Sequence, residues 1–259
     1  MTPEQESRYG RHMVLAQIGR KGQEKLLAAR VLIVGMGGLG SPVAMYLAAS
    51  GVGHLVLTDF DIVELSNLQR QVIHHTDDVG ENKVESASAA IHDLNPDVRV
   101  TAIPWILQDD ELEHEIREAD VVVDACDNFE SRFDMNAACW RLGTPLVSAA
   151  AMRMEGQVTV FDSRRADSPC YRCLYSDEST EGEACSQVGV LAPLLGIIGS
   201  IQAAEAMKLI VGMGTPLVGR VLVLDALGME WRTLKLRKDP HCPVCAQARS
   251  SDASGVACA

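Results

Sequence analysis

A glycine-rich stretch near the N-terminus constrains the fold more than any other part of the sequence. VLIVGMGGLG, residues 31–40, is an apolar run followed by Gly35, Gly37 and Gly40 in the spacing G-x-G-x-x-G. The apolar run is typical of a buried strand, and the glycines allow a tight turn that opens a helix. Backbone N–H groups at the start of such a helix bind phosphate. The stretch therefore predicts a strand–turn–helix unit that holds a nucleotide.

Strand-like and helix-like stretches alternate along the chain after this unit. Short runs rich in Val, Leu and Ile predict buried strands at 54–59, 98–103, 120–125 and 145–150. Helical patterns occupy 8–30, 81–94 and 128–143. This alternation predicts a Rossmann-like, doubly wound α/β fold with a mostly parallel sheet.

The pattern changes beyond residue 150. Strand-like runs follow at 156–161, 220–226 and 230–236 without the regular helices between them, so we expect antiparallel strands that extend the sheet. Residues 163–185 are polar and lack periodicity, and a loop of that length in a compact domain is more often functional than passive.

The charge and hydropathy of the sequence argue against a nucleic-acid partner and against a membrane span. The formal net charge of −12 argues against nucleic acid, because phosphate backbones attract basic surfaces. The N-terminus is polar and has no apolar signal core, so a cytoplasmic location is expected. Residues 185–204 carry no charge, but polar residues, glycines and a proline interrupt them. A buried core helix over 190–211 is therefore expected, with no membrane span.

Polar side chains that could bind a nucleotide follow the predicted strands. Asp59 lies about 20 residues after Gly40, where an acidic residue bonds ribose in dinucleotide-binding units. Taken alone, that spacing favours an NAD enzyme.

Further polar residues favour a triphosphate with Mg²⁺. The segment directly after Asp59 contains a carboxylate, two amides and a cation: Asp61, Asn67, Gln69 and Arg70. A dinucleotide-binding fold does not need this cluster of a cation and amides. Lys83 opens a predicted helix, and Asp127 and Asn128 follow the fourth strand. Carboxyl ends of strands gather at one sheet edge, where Asp can hold the metal and Lys and Arg can neutralise phosphate oxygens. Taken singly, a Lys or Arg at one of these positions would more often be a solvated surface residue than a ligand of phosphate.

Five motifs together resemble the MoeB, ThiF and HesA family of ubiquitin-activating-like adenylyltransferases. They are RYGRH (8–12), GMGGLGSP (35–42), DFDIVELSNLQRQ (59–71), NKVES (82–86) and DACDN (124–128). The resemblance runs from about Arg8 to Cys245. It implies that residues 1–249 form a single adenylation domain, and we expect 250–259 to be a disordered tail.

The resemblance also implies an activity. Members of this family use ATP to adenylate the C-terminal glycine carboxylate of a small ubiquitin-like sulfur carrier that ends in Gly-Gly. Residues 147–161 and 189–209 look closer to the molybdopterin branch than to the thiamin branch, so the small subunit of molybdopterin synthase is the expected carrier. The thiamin sulfur carrier is the alternative.

The nucleotide site of the family transfers to matching positions of this chain. These positions are Gly38, Asp59, Ser66, Asn67, Leu68, Gln69, Arg70, Lys83, Asp127 and Asn128. Asp59 would bond the ribose and Asp127 would bind Mg²⁺, while Arg70 and Lys83 would balance phosphate charge. The resemblance further implies a homodimer in which Arg11 reaches the partner's ATP.

Eight cysteines suggest a metal centre. CYRC (170–173) and CPVC (242–245) are two C-x-x-C pairs, a pattern typical of structural tetrahedral Zn²⁺ held by Cys170, Cys173, Cys242 and Cys245. Disulfides or a thioredoxin-like redox pair are the less favoured alternatives. Cys126 and Cys139 are expected in the core.

Cys185 is a separate candidate. It matches the family position that can form a thioester or persulfide-type link with the carrier, and a nearby helix N-terminus would favour its thiolate. The alternative interpretation, an exposed thiol without a catalytic role, is equally open, because adenylation does not require Cys185. Few residues follow Cys245, so we expect no attached rhodanese-like domain and a separate sulfurtransferase or cysteine desulfurase as the source of sulfur.

Three rival functions remain at this point. A related tRNA-modifying dehydratase shares the nucleotide motifs but would not be expected to carry both C-x-x-C pairs. A scaffold that binds a carrier without chemistry would not need Arg11, Arg70, Lys83 and Asp127 together. An NAD dehydrogenase would differ in the nucleotide that it binds.

Overall fold

The computed structural model describes residues 1–175 and 189–246. In these ranges the strands are β1 (Arg30–Val34), β2 (His54–Thr58), β3 (Arg99–Ile103), β4 (Val121–Asp124), β5 (Leu146–Met152), β6 (Glu155–Phe161), β7 (Arg220–Asp225) and β8 (Glu230–Lys235). The helices are α1 (Pro3–Met13), α2 (Gly19–Ala28), α3 (Gly40–Ala49), α4 (Lys83–Leu94), α5 (Asp109–Glu118), α6 (Phe129–Leu142), α7 (Tyr171–Leu174) and α8 (Ala192–Val211).

The described strands form one mixed sheet in the order β3-β2-β1-β4-β5-β6-β7-β8. The first five strands in this order are parallel, and β6, β7 and β8 are added antiparallel to β5 and to one another. The predicted Rossmann-like sheet with an antiparallel extension is confirmed. The strand ends agree with the predicted ends to within two residues.

The register of the central strands places their carboxyl ends side by side. Val34 at the end of β1 lies opposite Thr58 of β2 and Asp124 of β4. Because β2 and β4 flank β1 on opposite sides, the chain segments that follow these strands diverge at this point. Open α/β sheets bind ligands at such a switch point. The fold thus brings the predicted nucleotide residues to one edge.

The core lies on both faces of β1. Val31, Leu32 and Ile33 have no exposed surface, and they belong to two different apolar clusters on opposite sides of the sheet. This accounts for the unbroken apolar run in the sequence, since a strand covered on both faces has no polar alternation.

α8 contains much of the uncharged stretch that could indicate a membrane span. Its length and its mean hydropathy of 1.6 would allow a span. It packs instead against α3 and β5. Buried Gln202 donates to the Asp124 carbonyl at 2.7 Å, and buried Glu205 accepts from the Leu217 N–H at 2.8 Å. These contacts support the expected core helix.

Two helical predictions differ from the structure. The single helix expected over 8–30 is two helices, α1 and α2, separated by residues 14–18. α1 is held by Tyr9, whose hydroxyl accepts from the Asn95 side chain at 2.9 Å. α5 was not predicted, because its sequence is polar and only Leu112 and Ile116 are buried. The proposed tail, 250–259, lies outside the described residues.

Candidate nucleotide site and metal centre

The turn after β1 requires glycine at two positions. Gly35 has φ +96°, and a β-carbon there would lie 2.7 Å from the Ala125 carbonyl oxygen. A β-carbon at Gly40 would lie 2.0 Å from the Gly35 carbonyl oxygen. The turn therefore folds back on itself and packs against the segment after β4. In the described part of the chain, the N-cap residue Leu39 makes no side-chain cap at the N-terminus of α3, which follows this turn. Its N–H groups and helix dipole are suited to an anion.

Asp59, directly after β2, fixes the turn in place. One carboxylate oxygen accepts from the Met36 N–H at 2.7 Å, and the other accepts from the Asp61 N–H at 2.9 Å. Burial raises the pKa of Asp59, while these backbone N–H groups act in the opposite direction. Its position beside the turn is compatible with the predicted contact to ribose.

Lys83 is buried at the first turn of α4. The residue is 5% exposed, and its ammonium lies 2.7 Å from the carboxylate of Asp61. The backbone N–H of Lys83 also donates to the Asp61 carbonyl at 3.0 Å. A lysine at a helix N-terminus is opposed by the helix dipole, so the Asp61 charge stabilises it there. This double contact holds a cation beside Asp59.

The segment between Asp59 and Lys83 contains two short 3₁₀ helices, Leu65–Asn67 and Thr76–Asp78. Asn67 is buried, and its side-chain oxygen accepts from the Glu64 N–H at 3.2 Å. Ser66 donates from its hydroxyl to Glu64, and the Arg70 guanidinium donates to the Ser66 carbonyl at 3.1 Å. Arg70 is thereby oriented by its own segment. Leu68 is partly buried and Gln69 is exposed.

The segment after β4 supplies the remaining predicted residues. Asn128 caps α6, with its side-chain oxygen accepting from the Ser131 N–H at 2.8 Å. Asp127 is exposed, and its carboxylate makes no hydrogen bond or ion pair with the described residues. Asp124 is buried and accepts from the Ser148 hydroxyl at 2.6 Å. Of these carboxylates, Asp127 is the one with oxygens available for a hard metal ion such as Mg²⁺.

The two C-x-x-C pairs meet at one point. The sulfur atoms of Cys170, Cys173, Cys242 and Cys245 all lie within 4.8 Å of one another. Cys170 and Cys242 are 3.5 Å apart, and Cys173 and Cys245 are 3.3 Å apart. Four thiolates around Zn²⁺, with Zn–S bonds of about 2.3 Å, would have sulfur–sulfur distances of roughly 3.8 Å. The donor set and spacing thus fit a four-coordinate metal.

The surroundings of the four cysteines favour one thiolate among them. A hydrogen bond from the Cys170 thiol lowers the pKa of Cys173 to about 5, and the Asp239 N–H lies 3.4 Å from the Cys173 sulfur. The pKa of Cys170 is raised by its hydrogen bond to Cys173 and by burial, and that of Cys245 is raised mainly by burial. Thiolates are the metal-binding form of cysteine. All four cysteines are free thiols, which contradicts the disulfide alternative.

Comparison with known proteins agrees with this geometry. The ThiF family model matches residues 9–244. The chain belongs to the ThiF family. It is 47% identical to the molybdopterin-synthase adenylyltransferase of Escherichia coli, covering 93% of this chain and 96% of that protein. It is 43% identical to the sulfur carrier protein ThiS adenylyltransferase of the same organism, covering 92% and 94%.

A solved structure shows the same fold. The crystal structure of E. coli MccB with ATP superimposes with a TM-score of 0.79 at 25% identity, covering 92% of this chain and 73% of that one. The resemblance inferred from the sequence motifs is therefore confirmed at the level of the family and the fold.

One predicted residue of this ThiF-family chain, Arg11, does not contact the nucleotide residues of its own chain within the described structure. Arg11 is exposed on α1 and forms no hydrogen bond or ion pair with any described residue. Cys185 lies outside the described residues. Cys126 lies beside Asp124, and burial raises its pKa well above the usual range, so it is a poor nucleophile. Cys139 is in the core as expected.

The ThiF-family site also contains contacts that the sequence does not predict. The sequence places Asp61 among the polar residues after Asp59 but does not predict its ion pair with Lys83, and it does not single out His74. Buried His74 donates from Nε2 to the Met36 carbonyl at 3.0 Å, and its Nδ1 lies 2.7 Å from the Ser86 hydroxyl oxygen. It therefore ties the glycine turn to α4, which carries Lys83. Both residues fall within or next to the quoted motifs, but their partners are distant in sequence.

Proposed function

We propose that the protein is an ATP-dependent adenylyltransferase that activates a small ubiquitin-like sulfur carrier ending in Gly-Gly. The supporting observation is the meeting at one sheet edge of the uncapped glycine turn, the Lys83–Asp61 pair and the unpaired carboxylate of Asp127. The adenylyltransferase names of its relatives support the same reaction.

In the proposed reaction, the nucleophile comes from the carrier. An oxygen of the carrier's C-terminal glycine carboxylate forms a bond to the α-phosphorus of ATP. The bond from that phosphorus to the oxygen bridging to the β-phosphate breaks, and pyrophosphate leaves. The product is an acyl adenylate, so no protein side chain needs to form a covalent bond. Positioning and charge stabilisation supply the catalysis.

Five residues of the site have defined roles in this scheme. Asp59 bonds the ribose, and the turn including Gly38 accommodates the phosphates. Lys83 and Arg70 balance the negative charge that develops on the phosphate oxygens. Asp127 would hold Mg²⁺, which neutralises the triphosphate and assists departure of pyrophosphate.

The four-cysteine cluster fits a structural zinc ion. Cys170 is the N-cap residue of α7 and Cys173 lies within that helix, whereas Cys242 and Cys245 follow β8. A metal bound there would join two segments that are far apart in sequence. All four positions are occupied by protein sulfur, so no open coordination site remains for chemistry.

The partners follow from the same proposal. The expected carrier is the molybdopterin-synthase small subunit, because the relative of that branch has the higher identity, 47% against 43% for the thiamin branch. The thiamin carrier remains the alternative. Sulfur would come from a separate sulfurtransferase or cysteine desulfurase. We further propose a cytoplasmic homodimer in which Arg11 acts on the partner's nucleotide.

ATP–pyrophosphate exchange tests the proposal directly. The purified protein should exchange labelled pyrophosphate into ATP only with a carrier, and a carrier lacking its final glycine is the matched control. Comparing the molybdopterin and thiamin carriers would select the branch. ATP binding without exchange would favour a non-catalytic scaffold, and binding of NAD in preference to ATP would contradict the proposal.

Cys185 requires its own test. If it links covalently to the carrier, ATP and carrier together should produce a thiol-sensitive adduct on denaturing gels, absent in Cys185→Ala. Adenylation should persist in that variant. Full sulfur transfer by Cys185→Ala would show that the residue has no required role.

A further inference from the structure

Arg132 on α6 is the one arginine that is buried among the residues that the structure describes. Its side chain is 10% exposed, and its Nε atom lies 3.6 Å from the carboxylate of buried Asp124. Burial of a guanidinium is unfavourable unless an opposite charge and hydrogen bonds compensate for the lost water. The groups that Arg132 bonds therefore indicate what the residue holds together.

The guanidinium bonds two main-chain carbonyls that belong to different segments. Its Nη2 atom donates to the Cys126 carbonyl at 2.5 Å and to the Ala149 carbonyl at 3.0 Å. Cys126 lies in the segment after β4, whereas Ala149 lies in β5. A guanidinium is planar and presents its donors in fixed directions. The two bonds thus hold the segment after β4 against β5.

The position of Asp127 depends on this support. Asp127 follows Cys126 directly, and its own carboxylate bonds no group in the described part of the chain. The main chain on either side therefore sets its position. On one side the Cys126 carbonyl is bonded to Arg132, and on the other side Asn128 caps α6 through the Ser131 N–H. Arg132 thus acts one residue before the proposed ligand of Mg²⁺.

A third contact connects Arg132 to the cysteine cluster. Its Nη1 atom donates to the Tyr171 hydroxyl oxygen at 3.4 Å. Tyr171 follows Cys170 directly and is 1% exposed. Its ring packs edge-on against Phe133 of α6, with ring centroids 5.4 Å apart, and its N–H donates to the Asn136 side chain at 2.8 Å. The residue next to one cysteine of the cluster therefore rests on α6 and on Arg132.

We propose that Arg132 is a positioning residue that holds the segment carrying Asp127 in the geometry that Mg²⁺ requires, and that its contact with Tyr171 links this geometry to the cysteine cluster. The inference rests on the proposed binding of ATP with Mg²⁺. Because Mg²⁺ demands near-ideal octahedral geometry, a small displacement of one carboxylate weakens its binding. A movement of α7 on loss of metal from the cluster would reach Asp127 through Arg132.

Arg132→Lys tests the positioning role. Lysine keeps the positive charge beside Asp124 but lacks the planar fork that bonds two carbonyls. ATP affinity is measured by calorimetry without carrier over a series of Mg²⁺ concentrations. The Mg²⁺ concentration that gives half of the full gain in affinity should rise about tenfold. ATP affinity without Mg²⁺ should stay at the wild-type value, because the glycine turn and Lys83 are unchanged.

Tyr171→Phe tests the link to the cluster. Phenylalanine keeps the ring that packs on Phe133 and removes the hydroxyl that Arg132 bonds. The Mg²⁺ requirement should rise about threefold, less than in Arg132→Lys, because both carbonyl contacts remain. Tyr175→Phe is the matched control. Its hydroxyl bonds Gln157 and not Arg132, so the Mg²⁺ requirement should stay at the wild-type value.

Zinc withdrawal completes the test. Wild-type protein is treated with a chelator selective for zinc over magnesium, at a temperature at which it stays folded, and its Mg²⁺ requirement should rise. An unchanged requirement in zinc-free protein or in Tyr171→Phe would overturn the link to the cluster. If Arg132→Lys does not fold, these two measurements decide the inference.

The remaining outcomes separate the inference from the proposed function. A wild-type Mg²⁺ requirement in folded Arg132→Lys would overturn the inference and leave the proposed function intact. Equal losses of ATP affinity with and without Mg²⁺ would also overturn it, by showing that Arg132 supports the fold in general. A wild-type protein that does not bind ATP with Mg²⁺ would overturn both proposals.

Discussion

The Lys83 ammonium and the Asp61 carboxylate form an ion pair of 2.7 Å in which the lysine is buried and the carboxylate half exposed. The exposed partner can be solvated or displaced, whereas the lysine is buried and depends on a partner for its charge. An incoming phosphate can therefore take the place of Asp61 as the partner of Lys83. The pair keeps the cation satisfied and correctly placed before substrate arrives.

Lys83→Met should abolish most catalysis. Loss of a preorganised cation should lower carrier-dependent ATP–pyrophosphate exchange by about 10²- to 10³-fold. Asp61→Asn removes only the positioning charge, so a smaller loss of about tenfold is expected. Lys25→Met is the control, because Lys25 donates to the Val211 carbonyl and lies on α2. Equal exchange rates in Lys83→Met and Lys25→Met would remove Lys83 from the reaction.

The sequence predicts the sheet edge that binds the nucleotide, but it does not predict the Lys83–Asp61 ion pair at that edge. The apolar runs of the parallel strands identified the sheet, because strands buried on both faces leave an unmistakable pattern. The position of the glycine turn and of the polar residues after each strand then followed from topology. Contacts between Lys83 and Asp61, or between His74 and Met36, depend on how intervening loops fold, and no local pattern encodes them.

The polar helix α5 and the break between α1 and α2 illustrate the same limit. The buried residues of α5 are Leu112 and Ile116, so its amphipathic signal is confined to two positions four residues apart. The break at residues 14–18 contains Val14 and Leu15, which are exposed. α1 nevertheless ends at Met13, and Val14 is its C-cap residue.

Asp127→Asn should abolish exchange without unfolding the protein. Asn keeps the size of the side chain but lacks the charge that Mg²⁺ requires. Because Asp127 is exposed and bonds no described residue, the free energy of unfolding should change by less than about 0.5 kcal/mol. Asp134→Asn, an exposed change on α6, is the control and should retain exchange. Retained exchange in folded Asp127→Asn would exclude the assigned role.

The cysteine cluster should contain one zinc ion per chain. Cys242→Ser should lose the metal and lower the free energy of unfolding by several kcal/mol, since metal binding is coupled to folding. Metal analysis by mass spectrometry and thermal unfolding would measure both. Cys139→Ala, in the core but outside the cluster, should keep the metal. Freshly purified, reduced protein without zinc would contradict the assignment.

Arg11 provides the test of the dimer. Its exposure on α1, away from contacts with the nucleotide residues of its own chain, is what a residue reserved for a partner subunit requires. A guanidinium is always charged and can bond two phosphate oxygens at once. Arg11→Ala should therefore lose adenylation while remaining folded, whereas Arg117→Ala, an exposed change on α5, should retain it.

Subunit exchange then distinguishes action within one chain from action across a dimer. Arg11→Ala and Lys83→Met should each be inactive alone. In a mixed dimer, one nucleotide site would combine an intact Lys83 with the partner's intact Arg11, and the other site would carry both changes. Each mixed dimer should recover about half of the wild-type activity, measured by ATP–pyrophosphate exchange after subunit mixing. Mixed dimers that form but remain inactive would show that Arg11 does not act on the partner's nucleotide.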